Sequence, residues 1–219
     1  MSEKVTFEKL IEKISNESHG VESLKEVKGY LVSNYKKTQQ AIEGFLEPEI
    51  LKEPIRWEDV KDKVWCSDET RNVNKFSFIQ GDVLVTSKVL RLGTSEYNQD
   101  YDLWIVRSPS CDCVRGKFVR VSPIIEVVDK KSSDFNNFRT ALYFSTPNRF
   151  PLPKSILDDG KDRMGYYADL LEPFFLKEED KDDVVVLKSL SANGWHLLNA
   201  VSLNLESRAN VDEELKFRT

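Results

Sequence analysis

The tripeptide Cys111-Asp112-Cys113 is the most unusual local motif of the sequence. A nucleophilic cysteine would need a nearby cation such as Arg107, Arg115 or His196, because a neighbouring carboxylate raises the pKa of a thiol. A zinc site would have to recruit Cys66 and His196, and two cysteines separated by one residue are closer than the usual zinc ligands. We therefore expect a strand-end turn with buried thiols and a capping aspartate, and no metal or other cofactor.

A local basic cluster surrounds this motif and consists of Arg107, Arg115, Lys117 and Arg120. Residues two apart in a strand share a face, so the cluster could line a nucleic-acid groove or be the outward charges of a half-exposed sheet. The 32 basic and 37 acidic residues give a net charge of -5, which argues against a large nonspecific nucleic-acid surface but allows a local groove. If the chain is an enzyme, its catalytic candidates are Arg107, Asp112 and Arg115, with Arg120 beside them.

Two amphipathic helices are predicted at the start of the chain. The first has its apolar residues at helical spacing, namely Phe7, Leu10, Ile11 and Ile14. A second helix is expected to begin near Val21 and to continue until Pro48 stops it. Such a hairpin leaves an apolar stripe that must pack against the rest of the chain or against a second copy, which would give a homo-oligomer.

The sequence pattern divides the chain into four segments, a helical hairpin at 1–47, a connector at 48–75, a main domain at 76–208 and a polar tail at 209–219. No apolar run is long enough to span a bilayer, and the N-terminus lacks the apolar stretch of a secretory signal. Three cysteines, an odd number, do not fit a disulfide framework. We therefore expect a cytoplasmic protein without a membrane segment.

Short apolar runs bounded by glycine and proline turns predict strands in the main domain, at residues 83–86, 101–106, 117–128, 140–145 and 182–187. Pro123 should make the third strand bulged or an edge. A short helix is predicted at 56–65 and a C-terminal amphipathic helix at 194–208. The predicted class is α+β, with a small β-barrel between helical ends.

Five short motifs follow one another in an order that resembles a known family. They are Gly81-Asp82-Val83, a Ser-Pro strand end at 103–109, a Pro-Ile strand end at 119–124, Pro-Leu-Pro at 151–153 and Ala168-Asp169. Over roughly residues 79–175 this order is similar to the growth-inhibitor ribonuclease toxins of the MazF/PemK type. The resemblance implies an SH3-like barrel, a helix beginning at Ala168-Asp169 and a toxin–antitoxin or phage-defence setting.

The positions that carry chemistry in that family do not match. The toxins use an arginine and a threonine to assist RNA cleavage, and the corresponding residues here are Asp102 and Ile125. An aspartate would repel the phosphate, and an isoleucine has no hydrogen-bonding group. The resemblance therefore favours the fold over the activity.

Three functions remain open on these grounds. We expect a noncatalytic binding module in a bacterial toxin–antitoxin or phage-defence setting, which holds a protein or a nucleic-acid partner. One alternative is a divergent, metal-independent endoribonuclease with its own site. The other is a structural subunit that oligomerises through its N-terminal helices.

Overall fold

The computed structural model describes residues 6–16, 21–35, 39–60, 76, 78–146, 148–172 and 174–206. Predictions made for Cys66, for the connector beyond residue 60 up to 75 and for the tail at 209–219 lie outside this part of the chain. The described part places helices before and after one curled antiparallel sheet, which confirms a mixed class of helix and strand.

The N-terminal segment contains three helices, α1 (Phe7–Asn16), α2 (Val21–Asn34) and α3 (Gln39–Ile50), where the sequence predicts two. The second predicted helix is therefore divided. The side-chain amide of Asn34 donates to the carbonyl oxygen of Tyr30 at 2.9 Å. That bond occupies a backbone carbonyl oxygen near the end of α2. Asparagine is also a weak helix former, and α2 ends at this residue.

Pro48 does not stop the helix as predicted, because α3 passes through it to Ile50. Pro48 lies in the last turn, so its missing N–H removes a single hydrogen bond, the one that Gly44 would otherwise accept. The chain then enters strand β1 (Leu51–Lys52) directly, and Leu51 pairs with Leu190. The helix end is thus fixed by pairing with the sheet rather than by the proline.

The predicted C-terminal helix is confirmed as α7 (Ala192–Glu206), and the N-terminal helices pack on it. The predicted stripe of α1 is buried throughout, at Phe7, Leu10, Ile11 and Ile14. It shares one hydrophobic cluster with Leu197, Leu198 and Val201 of α7. Because this stripe is covered within the chain, an oligomer through these helices would have to use another of their faces.

The sheet has nine strands in the described residues. After β1 they are β2 (Asp82–Val85), β3 (Val89–Arg91), β4 (Leu103–Val106), β5 (Phe118–Val127), β6 (Arg149–Leu152), β7 (Gly165–Asp169), β8 (Phe174–Lys177) and β9 (Val185–Leu190). The main order is β1-β9-β2-β4-β5-β7-β6, with β3 and β8 off this path. The long strand β5 pairs with β4, β7 and β8, and the sheet curls into a half-barrel.

Pro123 lies within β5 at a point where the strand has a paired neighbour on one side only. It is opposite Trp104 of β4, and the next residue, Ile124, is already opposite Ala168 of β7. A proline has no N–H to donate across a ladder, so it is tolerated where a strand exchanges one neighbour for another. The strand β5 as a whole is not an edge strand, but the predicted edge holds locally at Pro123, where β8 gives way to β7.

Two further assignments are wrong. Residues 140–145 do not form a strand, because helix α6 (Phe135–Leu142) occupies them up to Leu142 and buries Phe138, Ala141 and Leu142 at helical spacing. The helix that the resemblance implies at Ala168-Asp169 is instead the end of β7, which pairs with β5 and β6. Side chains of β7 are buried along most of its length, which hides the alternation of an exposed strand.

The remaining elements follow the predictions more closely. The strands predicted at 83–86, 101–106 and 117–128 correspond to β2, β4 and β5. The strand predicted at 182–187 begins only at Val185, after a 3-10 helix over Glu178–Asp183. The helix predicted at 56–65 is seen as α4 (Trp57–Val60) in the described residues. None of the helices described is long and apolar enough to cross a membrane.

Candidate functional site

Arg107 and Arg120 lie opposite each other at one end of the sheet. Arg107 directly follows β4, and its N–H donates to the carbonyl oxygen of Arg120 in β5 at 2.8 Å. The N–H of Arg120 donates to the Ser108 hydroxyl oxygen at 2.9 Å. These backbone bonds join the end of β4 to β5, so the two arginines lie side by side in neighbouring segments of the sheet.

Both arginine side chains line one cleft, here called the arginine cleft, which encloses about 360 Å³. Its polar lining is formed by Gln80, Arg107, Ser108, Asp112, Arg120, Asn199 and Ser202. Two arginines and one aspartate give this lining a net charge of about +1, against the -5 of the whole chain. The cleft is thus a local positive site on an acidic protein.

The Cys111-Asp112-Cys113 motif lies in a short helix, α5 (Ser110–Arg115), and not in the predicted turn. The helix starts behind Pro109, whose carbonyl oxygen accepts the N–H of Asp112 at 2.8 Å. Helical geometry sends Cys113 into the core and leaves Asp112 exposed on the cleft. Helix α5 therefore brings a carboxylate to the two arginines.

The buried thiol of Cys113 is poorly suited to chemistry. Burial, followed by the charge of Asp82, raises the pKa of the Cys113 thiol far above its ordinary value, and a protonated thiol is a weak nucleophile and ligand. The Cys111 sulfur lies 3.8 Å from the carboxylate of Asp112. Within the described ranges, no three histidine, cysteine or carboxylate side chains converge to hold a metal ion.

Gln80 connects the elements around the cleft, and it was not predicted as a site residue. Its side-chain NH₂ donates to the carbonyl oxygen of Arg107 at 3.0 Å and to the side-chain oxygen of Asn199 at 3.1 Å. Its side-chain oxygen accepts the indole N–H of Trp195 at 2.9 Å. One amide thus holds the end of β4 against helix α7.

Trp195 and Asn199 lie one turn apart on α7, and sequence reasoning also missed them. The side-chain amide of Asn199 donates to the Trp195 carbonyl oxygen at 3.1 Å. The Trp195 side chain is 40% exposed although tryptophan is usually well buried. A tryptophan among the polar residues Asn193, His196 and Asn199 is the one signal in the sequence that points to this surface.

The two guanidinium groups are held differently. Arg107 is half-buried, and its Nη1 donates to the carbonyl oxygen of Leu170 at 2.7 Å, which fixes its direction. Arg120 is exposed. Substitution of Arg120 therefore tests the cleft with less risk to the fold than substitution of Arg107.

The other predicted basic residues are placed elsewhere or are not described. Lys117 lines a separate, open groove that also contains Lys177, Lys181 and the carboxylates of Glu178, Glu179 and Asp182. Arg115 ends α5, and its side chain lies outside the described part of the chain. Of the four residues in the predicted cluster, the structure therefore brings Arg107 and Arg120 together.

The residues at the toxin family's catalytic positions lie away from the cleft. Asp102 is exposed and precedes β4, whereas Arg107 follows it. Ile125 packs against a cluster that contains Phe138 and Tyr167. His196 is half-buried, and burial lowers its pKa.

The fold and the cleft together define a mixed helix-and-sheet protein with a small, positively charged polar site. No family model, curated protein or solved structure matches the chain. Guanidinium groups, amides and a hydroxyl are the groups that bind phosphate and base edges in nucleic-acid sites. The function is therefore inferred from the chemistry of the arginine cleft.

Proposed function

We propose that the chain is a noncatalytic binding module that holds a nucleic-acid partner in the arginine cleft. The observation that carries this proposal is the cross-strand pair of Arg107 and Arg120 in one polar cleft. Arginine forks bind phosphate oxygens bidentately, and both arginines line the same cleft. A protein partner would instead have to present an acidic side chain to the same pair.

The absence of turnover is proposed from the residues at the family's catalytic positions. Asp102 and Ile125 cannot stabilise a reacting phosphate, and they lie away from the cleft. The curled antiparallel sheet is compatible with a divergent SH3-like barrel, which we propose on the resemblance in motif order. The bacterial toxin–antitoxin or phage-defence setting is proposed on that resemblance alone.

Arg120→Gln should weaken binding of a short single-stranded RNA roughly 10-fold, because a hydrogen bond to a charged group contributes about 1.5–3 kcal/mol. The slope of log K against log salt should also fall by about 0.7, the value for one phosphate contact on a single strand. Fluorescence anisotropy with labelled RNA in EDTA, over a series of salt concentrations, measures both quantities.

Arg139→Gln is the matched control, since Arg139 is an exposed arginine of α6 outside the cleft. It removes the same charge from the whole protein and should leave affinity and salt slope unchanged. If both variants weaken binding equally, the effect is one of net charge, and the cleft is not the binding site. If the wild-type protein binds no RNA or single-stranded DNA at low salt, the proposed function is wrong.

A divergent endoribonuclease is the second candidate, and the position of Asp112 favours it. Its carboxylate lies in the same cleft as both arginines, where it could accept a proton from a 2′-hydroxyl while a guanidinium stabilises the phosphate. Cleavage of RNA in EDTA that disappears in Asp112→Asn would establish this candidate. Binding of RNA by the wild-type protein without any cleavage supports the binding module.

A further inference from the structure

We propose that the arginine cleft receives a nucleotide with a terminal phosphate group, with the phosphate on Arg107 and Arg120 and the base stacked on Trp195. The inference rests on the proposed function and names its ligand more narrowly. The shared chemistry is that of a nucleoside monophosphate, either as the phosphorylated end of a strand or as a free nucleotide.

The charges of the cleft are the reason for assigning a terminal phosphate group to the ligand. A terminal phosphate offers three acceptor oxygens and close to two negative charges, so it suits two lining arginines better than an internal diester, which carries one negative charge. A strand that continued past the cleft would need further cations. Lys117, which directly precedes β5, instead lines a separate groove together with three carboxylates.

The size of the cleft also limits the ligand. A volume of about 360 Å³ lies near the lower end of the 300–1,000 Å³ typical of small-molecule pockets, and suits one nucleotide rather than a strand. Pro109 and Leu203 close the lining with apolar surface. The net charge of -5 on the chain disfavours a backbone track across the rest of the surface.

The base is assigned to Trp195, which adjoins the cleft through Gln80 and is not itself one of its lining residues. Its indole is partly exposed and is held by its N–H on the side-chain oxygen of Gln80, a residue of the cleft lining. Aromatic faces stack on any base, and Asn199, one turn along α7, places an amide at the same side of the cleft. The orientation of the indole is thus set by a hydrogen bond before any ligand binds.

Asp112 has a role in this arrangement that a bare phosphate site would not explain. A carboxylate in a phosphate site weakens anion binding unless it accepts hydrogen bonds from the same ligand. The hydroxyl groups of a ribose are such donors, and carboxylates bind them in other nucleotide sites. A nucleotide therefore uses all four side chains, the two arginines, the aspartate and the tryptophan.

The test compares one labelled short RNA in three forms, with a 5′-phosphate, with a 3′-phosphate and with hydroxyl groups at both ends, and uses AMP as competitor. We expect one phosphorylated form to bind at least roughly 10-fold more tightly than the hydroxyl form. Trp195→Ala should weaken binding of that RNA form roughly 5-fold or more. Trp195→Phe should retain most of the affinity, because phenylalanine keeps an aromatic face for stacking. Circular dichroism melting curves check that both variants are folded.

Competition by AMP as strong as by the phosphorylated RNA identifies a free nucleotide as the ligand, and weaker competition identifies a strand end. Equal binding of the three RNA forms, each weakened by Arg120→Gln, would overturn the terminal-phosphate inference and leave the proposed function standing. An unchanged affinity in folded Trp195→Ala would overturn the stacking assignment. No binding of any form would overturn both proposals.

Discussion

Replacing Gly194 by alanine should destabilise the protein by about 3 kcal/mol or more, although alanine is normally the better residue in a helix. A Cβ atom at this position would lie 3.2 Å from both the carbonyl carbon and the Cα of Ile50, and closer still to its carbonyl oxygen. The atoms in the way belong to the backbone of Ile50, so helices α3 and α7 would have to move apart. Urea titration followed by circular dichroism measures the loss, and Tm should fall by roughly 6–12 °C.

The effect should be large because Gly194 lies where two helix ends share their caps. The Ser191 hydroxyl accepts the N–H of Gly194 at 3.0 Å and donates to the carbonyl oxygen of Glu49. The backbone N–H of Ser191 donates to the carbonyl oxygen of Ile50 at 2.8 Å. The start of α7 and the end of α3 thus satisfy each other's backbone groups. Separation of the helices would break this exchange in addition to relieving the overlap.

Gly29→Ala provides the matched control. Gly29 lies inside α2, and a Cβ there meets no atom within 4 Å. The same substitution should stabilise the protein by up to about 1 kcal/mol, because alanine loses less backbone entropy on folding than glycine. If Gly194→Ala leaves the stability unchanged or raises it as Gly29→Ala does, the close approach of α7 to Ile50 is not tight in solution.

The neighbourhood of Arg107, Asp112 and Arg120 could be predicted from sequence because these residues are close along the chain. Strand β4, helix α5 and strand β5 follow one another, so the connection itself brings the three side chains together. Gln80, Trp195 and Asn199 could not be predicted in the same way. Their hydrogen bonds join residues 115 and 119 positions apart, and no local pattern encodes such contacts.

The fold shows the same division between local and long-range signals. Helices α1 and α7 follow from apolar periodicity, since each buries one face. The strands β6, β7 and β8 were not predicted, because they are short and their register depends on pairing with β5 or β7. The apolar run Ala141 to Phe144 suggested a strand, but tertiary packing selected a helix and a turn there.

Asp82→Asn should remove a pH dependence that the wild-type protein carries in its core. Asp82 is fully buried, and burial raises the pKa of its carboxyl group to about 6, although hydrogen bonds from Ser189 and Ile79 oppose the shift. An acid with a raised folded-state pKa stabilises the fold at low pH, and this stability is lost as pH rises through the folded pKa. The total loss for this group is about 3 kcal/mol, since one pKa unit corresponds to about 1.4 kcal/mol.

The direction of this pH dependence follows from the protonation state of Asp82 in the folded and in the unfolded chain. Between the unfolded value of 3.8 and about 6, the folded chain keeps the proton on Asp82 while the unfolded chain releases it, so unfolding becomes easier as pH rises. Most of the change, about 2 kcal/mol, should fall between about pH 4.5 and 7.5. The unfolding free energy of Asp82→Asn relative to wild type should therefore increase by that amount over this interval.

Asparagine keeps an oxygen that can accept the Ile79 N–H, which is now bound at 2.8 Å, and its NH₂ can donate to the Ser189 hydroxyl oxygen. The exposed Asp158→Asn removes a carboxylate from the surface instead and is the control variant for the loss of one negative charge. Parallel curves for Asp82→Asn and wild type would mean that Asp82 titrates in the folded protein as it does in the unfolded chain. A diverging curve would show that the Gly81-Asp82 turn buries a carboxyl group whose charge opposes folding at neutral pH, because its partners are neutral donors and not a cation.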